Sequence, residues 1–184
     1  MNFAYIPNIM TVCRCLLVFP IVLFLLSGNY RLAFSLFLVA GISDALDGLL
    51  ARQFNWMSRL GSILDPLADK LLLVSAFIVL AVIGALPVWL TVLVVCRDIW
   101  LVGGCVIYHY WIGRFDMAPT LLSKSNTFFQ LALVAAQLFY LAFGLLPAWV
   151  TLWLIVIVTF TSVGSFIQYT WIGSSRAMRA RRQG

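Results

Sequence analysis

Apolar residues fill this chain in long runs, and the polar stretches between them are short. A bilayer hydrocarbon core takes about 20 apolar residues of α-helix. With Gly, Pro and charged positions read as breaks, the pattern predicts six such spans. The first covers about Ile9 to Leu26 and ends at "SGNY". The second covers about Arg31 to Arg52. The third starts near Leu60 and ends at "GALP", Gly84 to Pro87. The fourth covers about Val88 to Tyr110. The fifth starts near Ser123 and ends at "GLLP", Gly144 to Pro147, and the sixth covers about Ala148 to Ile172.

Composition strengthens this reading. The chain has 184 residues, 64% hydrophobic and 10% charged, with a mean hydropathy of +1.05. A soluble domain carries about a quarter charged residues and could not cover itself with so few. The expected fold is an all-α integral membrane protein: six transmembrane helices in one bundle, a single domain over 1–184, with a basic tail at about 173–184. Cys13, Cys15, Cys96 and Cys105 lie in apolar runs with no CxxC pair, so they read as small buried apolar residues rather than ligands or disulfides. His109 is the only histidine, and no zinc site is expected. "MNFAYIPNIMTVCRCLLVF" has neither a basic leader nor a small-residue cleavage site, so it does not read as a cleavable signal. The simplest setting is a bacterial inner membrane, with a processed organellar protein as the alternative.

The net charge of +6 sets orientation. With the N-terminus in the cytoplasm, that side receives Arg52, Arg59, Arg114, Lys124 and the tail Arg176, Arg179, Arg181 and Arg182. The outer side receives Arg31. This bias predicts that both termini are cytoplasmic. The basic tail then faces anionic headgroups, and no nucleic-acid partner is expected.

The acids raise a chemical question. There is no Glu, and four of the six aspartates, Asp44, Asp47, Asp65 and Asp69, crowd into Ser43 to Lys70. Asp44 and Asp47 are spaced i, i+3, and Asp65 and Asp69 i, i+4, which puts each pair on one helix face. The two spans are consecutive and antiparallel, so the pairs can meet near the cytoplasmic end. Asp47 lies about 8 Å inside Arg52 along the helix. Four carboxylates in low dielectric repel one another unless cations neutralise them. Oxygen ligands alone suit hard ions such as Mg²⁺, Mn²⁺ or Ca²⁺. Gly48 and Gly61 leave space, Ala51 is small, and Arg52 can fork onto a phosphate. Interhelical polar contacts would account for one or two buried aspartates, but not for four interleaved with glycines and an arginine.

The spacing D-x2-D-G-x2-A-R-x8-G-x3-D-x3-D, on Asp44, Asp47, Gly48, Ala51, Arg52, Gly61, Asp65 and Asp69, resembles the signature of the CDP-alcohol phosphatidyltransferase family. "PNIMTVCR", with Pro7, Asn8, Thr11 and Arg14, is similar to the family's N-terminal segment. The resemblance implies a reaction in which an alcohol attacks the lipid-side phosphorus of CDP-diacylglycerol and CMP leaves. It implies that Asp44, Asp47, Asp65 and Asp69 hold Mg²⁺ or Mn²⁺, and that Asp69 is the general base. Asn8, Thr11, Asp47, Gly48, Ala51, Arg52 and Gly61 would line the CDP site. It also implies six membrane helices and, commonly, a homodimer, for which Gly103 and Gly104 could allow close packing.

Two branches of the family fit. One transfers to phosphatidylglycerol and makes cardiolipin; the other transfers to glycerol 3-phosphate. "PTLLSKSNTFFQ", Pro119 to Gln130, resembles the eukaryotic-type cardiolipin synthases, with Asn126 where the other branch tends to carry a second lysine. A dianionic acceptor wants more cations than this chain offers. Phosphatidylglycerol is therefore the favoured acceptor, with Arg97, Lys124 and Arg59 expected near it. Arg97 and Asp98 lie inside the fourth span and could equally be an internal pair that fixes the bundle. From another class, a divalent-ion or proton transporter would need polar groups through the whole membrane, whereas the acids gather in one half. A scaffold role leaves them unexplained.

Overall fold

The computed structural model describes residues 6–54, 61–112 and 121–183, with side chains described for 12–44, 68–101, 103 and 121–171. Those residues form six helices: α1 (Ile6–Leu26), α2 (Tyr30–Phe54), α3 (Gly61–Val82), α4 (Val88–Ile112), α5 (Leu121–Phe143) and α6 (Ala148–Gln183). Among the described residues there is no strand.

Gly and Pro set several of the helix ends. Gly28 and Gly84 take positive φ of 77° and 74°, which a residue with a Cβ adopts only at a cost. Each closes its helix with paired bonds. Asn29 N–H donates to Phe24 O and Gly28 N–H to Leu25 O; Ala85 N–H donates to Leu80 O and Gly84 N–H to Ala81 O. This is the double cap that satisfies the last carbonyls of a helix. Gly144, with φ 67°, uses the single-bond form, N–H to Tyr140 O. Pro87 and Pro147 then stand just before α4 and α6 and accept from Leu90 and Val150. Helix α6 continues about three turns past the predicted end, through the basic tail to Gln183. Ala, Met and Arg are good helix formers, and arginines near a C-terminus complement the helix dipole.

Helices α3 and α5 join the bundle. α1 contacts α2 and α3; α2 contacts α5; α3 contacts α4 and α5; α6 contacts α4 and α5. Leu25, Phe77, Leu80, Leu90, Leu133, Leu138 and Val158 are fully buried between them. Phe34 of α2 meets Phe139 and Phe143 of α5 edge-on, with centroids 5.6 and 5.9 Å apart. Two polar ties cross the apolar core. Thr91 Oγ1 donates to Phe77 O, and Gln137 Nε2 donates to Ala85 O.

The bundle is apolar outside and partly polar inside. Phe19, Val82, Leu121, Phe160 and Trp171 are each more than two-thirds exposed, while Arg14, Arg97, Asp98, Asn126, Gln130 and Ser165 are buried. Leu121–Phe143 and Ala148–Trp171 are long and apolar enough to cross a membrane. The cysteines correct the sequence reading: Cys13, Cys15 and Cys96 are exposed. On helices apolar all round, an apolar residue faces outward as readily as inward. Cys105 lies outside the described side chains. A Cβ on Gly103 would meet nothing within 4 Å, so among the described residues Gly103 makes no close helix contact.

Candidate active site

Three helices converge on one guanidinium. Arg14 of α1 places Nη2 2.5 Å from Asp44 Oδ1 of α2, and Nη1 2.6 Å from Asp69 Oδ1 of α3. Arg14 is 3% exposed. A buried guanidinium needs partners, because its charge is permanent and its desolvation costly. The antiparallel turn between α1 and α2 and the packing of α1 on α3 bring the two carboxylates to it. Both carboxylates keep close to two-fifths of their surface open.

The open part faces a cavity of about 540 Å³. Arg14, Asp44, Asp69 and Lys124 supply its charges, and Thr127 adds a hydroxyl. Leu72, Leu73, Phe128 and Leu131 form apolar wall. Phe128 is 66% exposed on the outer face of the bundle, so that wall continues onto the apolar exterior. The cavity combines carboxylate oxygens, a lysine and a surface suited to hydrocarbon.

A second polar cluster lies behind it. Arg97 Nη1 donates to Asp98 Oδ1 at 2.6 Å. Arg97 Nη2 donates to Ser123 Oγ at 2.8 Å and to Ser165 Oγ at 2.7 Å. Lys70 Nζ reaches the same Asp98 Oδ1 at 3.0 Å. The cluster ties α3, α4, α5 and α6 together, and Lys70 directly follows Asp69 in the chain.

The expected site residues fall into three groups. Asp44, Asp69 and Lys124 share the cavity. Arg97 is committed to its internal network and lines a different, mostly apolar cavity with Trp89, Cys96 and Phe166. The rest lie outside the described side chains: Asn8 and Thr11 on α1, Asp47, Gly48, Ala51 and Arg52 on α2, and Gly61 and Asp65 on α3, while Arg59 lies outside the described residues altogether. Among the described residues no three His, Cys, Asp or Glu side chains converge. Asn126 is fully buried, and its Oδ1 accepts from Thr161 and Ser162 of α6.

Sequence reasoning used Arg14 only as part of an N-terminal motif. The available signal was a cation seven residues after Pro7 inside an apolar run, which requires a counter-ion. The two described carboxylates do fit a hard divalent ion. They offer only oxygen, they meet the same guanidinium from consecutive helices, and both line one cavity.

A family model for CDP-alcohol phosphatidyltransferases matches residues 4–163. The chain belongs to that family. Among its curated relatives it is similar to a probable cardiolipin synthase (CMP-forming) of Drosophila melanogaster, 39% identical over 153 residues, covering 74% of this chain and 48% of that protein. It is similar to the human cardiolipin synthase (CMP-forming), 34% identical over 149 residues, covering 72% and 50%. It is also similar to a probable phosphatidylglycerophosphate synthase of Mycobacterium tuberculosis, 36% identical over 145 residues, covering 75% and 66%. The chain spans about half the length of the first curated relatives it matches.

Proposed function

We propose that this chain transfers the phosphatidyl group from CDP-diacylglycerol to phosphatidylglycerol, giving cardiolipin and CMP. The observation that carries the reading is the sharing by Asp44 and Asp69 of one cavity lined both by charged groups and by hydrocarbon side chains. Asp69 takes the proton of the acceptor hydroxyl. The hydroxyl oxygen forms a bond to the lipid-side phosphorus as the bond from that phosphorus to the CMP oxygen breaks. Gly48, Ala51, Arg52, Gly61, Asn8 and Thr11 hold the CDP portion. Asp44, Asp47, Asp65 and Asp69 are the proposed ligands for Mg²⁺ or Mn²⁺. Such an ion, when bound, spreads charge off the pyrophosphate and stabilises the leaving CMP.

The acceptor follows from charge and from the cavity wall. Arg97 is used by Asp98, Ser123 and Ser165, which leaves Lys124 as the described cation, beside Arg14, at the cavity. A single phosphodiester suits one lysine better than a dianion does. The apolar wall of Leu72, Phe128 and Leu131 gives an acceptor's acyl chains somewhere to lie. Glycerol 3-phosphate is the second reading, supported by the likeness to the mycobacterial phosphatidylglycerophosphate synthase.

The proposed setting is a membrane, with the six helices spanning it. The inverted surface supports this: large apolar side chains outside, arginine and aspartate inside. The Lys/Arg bias supports a cytoplasmic site in a bacterial inner membrane, and a homodimer is the proposed assembly.

Purified protein given CDP-diacylglycerol and Mn²⁺ or Mg²⁺, with phosphatidylglycerol in one tube and glycerol 3-phosphate in another, tests the reading by product mass. Cardiolipin plus CMP from the first tube is expected. Product only from the second moves the acceptor, and CMP from neither rejects the reaction.

A further inference from the structure

We propose that Arg14 is the site's own counter-cation: it holds Asp44 and Asp69 together in the absence of a divalent ion and keeps affinity for that ion low until an anionic nucleotide is present. The inference rests on the metal-dependent reading above and adds a role for a residue outside the aspartate signature.

Three observations carry it. First, one buried guanidinium contacts both described carboxylates, one per terminal nitrogen, at 2.5 and 2.6 Å. Second, both contacts use Oδ1, and both carboxylates remain open to the same cavity. Third, the carboxylates stand on different helices, α2 and α3, and Arg14 on a third. The guanidinium therefore does for these two carboxylates what a bridging cation would do. It offsets the charge of one of the four proposed ligands and ties Asp44 and Asp69 to one guanidinium.

The sign of its effect on ion binding follows from electrostatics. A guanidinium does not lose its proton in a protein, so its charge stays when a divalent ion arrives. Like charges a few ångströms apart in a partly desolvated site repel strongly. Arg14 thus weakens the ion. One opposing effect is that Arg14 pre-positions the ligands, and pre-positioning favours binding. Without Arg14, however, the two carboxylates repel each other, and an incoming ion relieves that repulsion. Loss of the fixed charge and relief of carboxylate repulsion both act toward tighter binding, and together they outweigh the lost pre-positioning.

Substrate changes the balance. A pyrophosphate brings negative charge beside both Arg14 and the ion, which offsets the repulsion between them. Nucleotide and ion then raise each other's affinity, and linkage requires the two effects to be equal. Arg14 enlarges that coupling. The site loads its ion with the nucleotide rather than ahead of it.

The test is Mn²⁺ binding to the full chain in detergent, read by electron paramagnetic resonance, with and without CDP. In the wild type, CDP is expected to tighten Mn²⁺ by about tenfold or more, within the usual range of coupling between sites. Without CDP, Arg14→Gln is expected to bind Mn²⁺ about tenfold tighter than wild type, with a smaller gain from CDP. Arg14→Lys, which keeps the charge, is expected to stay near wild type. Chelation is expected to lower the melting temperature of Arg14→Gln more than that of wild type, and Mn²⁺ to restore it. Equal or weaker Mn²⁺ binding by helical Arg14→Gln overturns the inference while leaving the metal reading intact. So does the absence of a CDP effect in the wild type, a result that needs no variant to fold. If the wild type binds no Mn²⁺ with or without CDP, the metal reading itself fails and takes this inference with it.

Discussion

Asp98 of α4 holds Lys70 of α3 at 3.0 Å, one residue beyond Asp69, and the same Oδ1 accepts from Arg97. Adjacent residues of α3 thus reach in two directions: Asp69 to Arg14 on α1, and Lys70 to Asp98 on α4. The charged residues around the site form two linked clamps on one helix. Rotation of α3 that breaks one clamp also disturbs the other.

Asp98→Asn leaves Arg97 buried without its charge partner and releases Lys70. Removing one member of a buried pair costs about 3–5 kcal/mol. A loss of that size is expected in thermal or denaturant unfolding in detergent. Replacing both partners with apolar residues, Arg97→Met with Asp98→Leu, is expected to cost less than the single change, because the buried guanidinium goes with its partner and the unpaired charge left is that of Lys70, about a third exposed. A double variant less stable than Asp98→Asn would mean that the pair contributes more than mutual neutralisation.

Asp69→Asn keeps the shape of the side chain and removes the proposed proton acceptor. General-base contributions run at about 10²–10⁴-fold. Turnover is expected to fall by that order or more, while circular dichroism stays unchanged. A variant retaining a tenth of wild-type CMP release would remove Asp69 from the role of base.

The sequence made the helices legible and most of their pairings illegible, for a physical reason. Gly28, Gly84 and Gly144 mark helix ends because their backbone conformations demand them, and Pro87 and Pro147 mark the starts that follow. The proximity of Asp44 and Asp69 was expected from the sequence order of α2 and α3, whereas the described contacts that hold them run through Arg14 of α1, which packs on both helices. Which face each helix turns inward was not legible. Soluble helices announce an inner face by amphipathicity, whereas α1 and α4 are apolar almost all round. That is why Cys13 and Cys96 were expected inside and are exposed, and why Arg14 was not linked to Asp44 and Asp69. The Arg97–Asp98 pair was legible as a polar anomaly, but its partners Ser123, Ser165 and Lys70 lie far from it in sequence, on three other helices.

On the proposed reading, Lys124 contacts the acceptor. It lines the Asp44–Asp69 cavity and is itself exposed. Lys124→Ala is expected to raise KM for the anionic acceptor by about tenfold, consistent with a loss of one charge-assisted contact worth about 1.5–3 kcal/mol, and to change kcat less. KM for CDP-diacylglycerol is expected to move little. Equal changes in both KM values would place the lysine's effect on general charge at the cavity rather than on the acceptor.

Asn126 separates charge at the acceptor from packing between helices. The other branch of the family tends to carry lysine at this position, which suggests a simple swap of acceptor by Asn126→Lys. The geometry predicts a different outcome. Asn126 is fully buried and faces α6, where its Oδ1 accepts from Thr161 Oγ1 at 2.7 Å and Ser162 Oγ at 2.9 Å. Lysine has no acceptor to offer these hydroxyls. It would also bring an ammonium into a space sized for a shorter amide, between packed helices. Asn126→Lys is expected to lower stability by about 1–3 kcal/mol, the usual cost of leaving buried polar groups without partners, and to gain no product from glycerol 3-phosphate. Asn126→Ala removes the same acceptor without adding charge, so its unfolding sets the share of the loss due to the two hydroxyls alone. If Asn126→Lys instead stays folded and makes phosphatidylglycerol phosphate, the fifth helix must turn this face toward the cavity when substrate binds, and the clasp to Thr161 and Ser162 would then belong only to the empty enzyme.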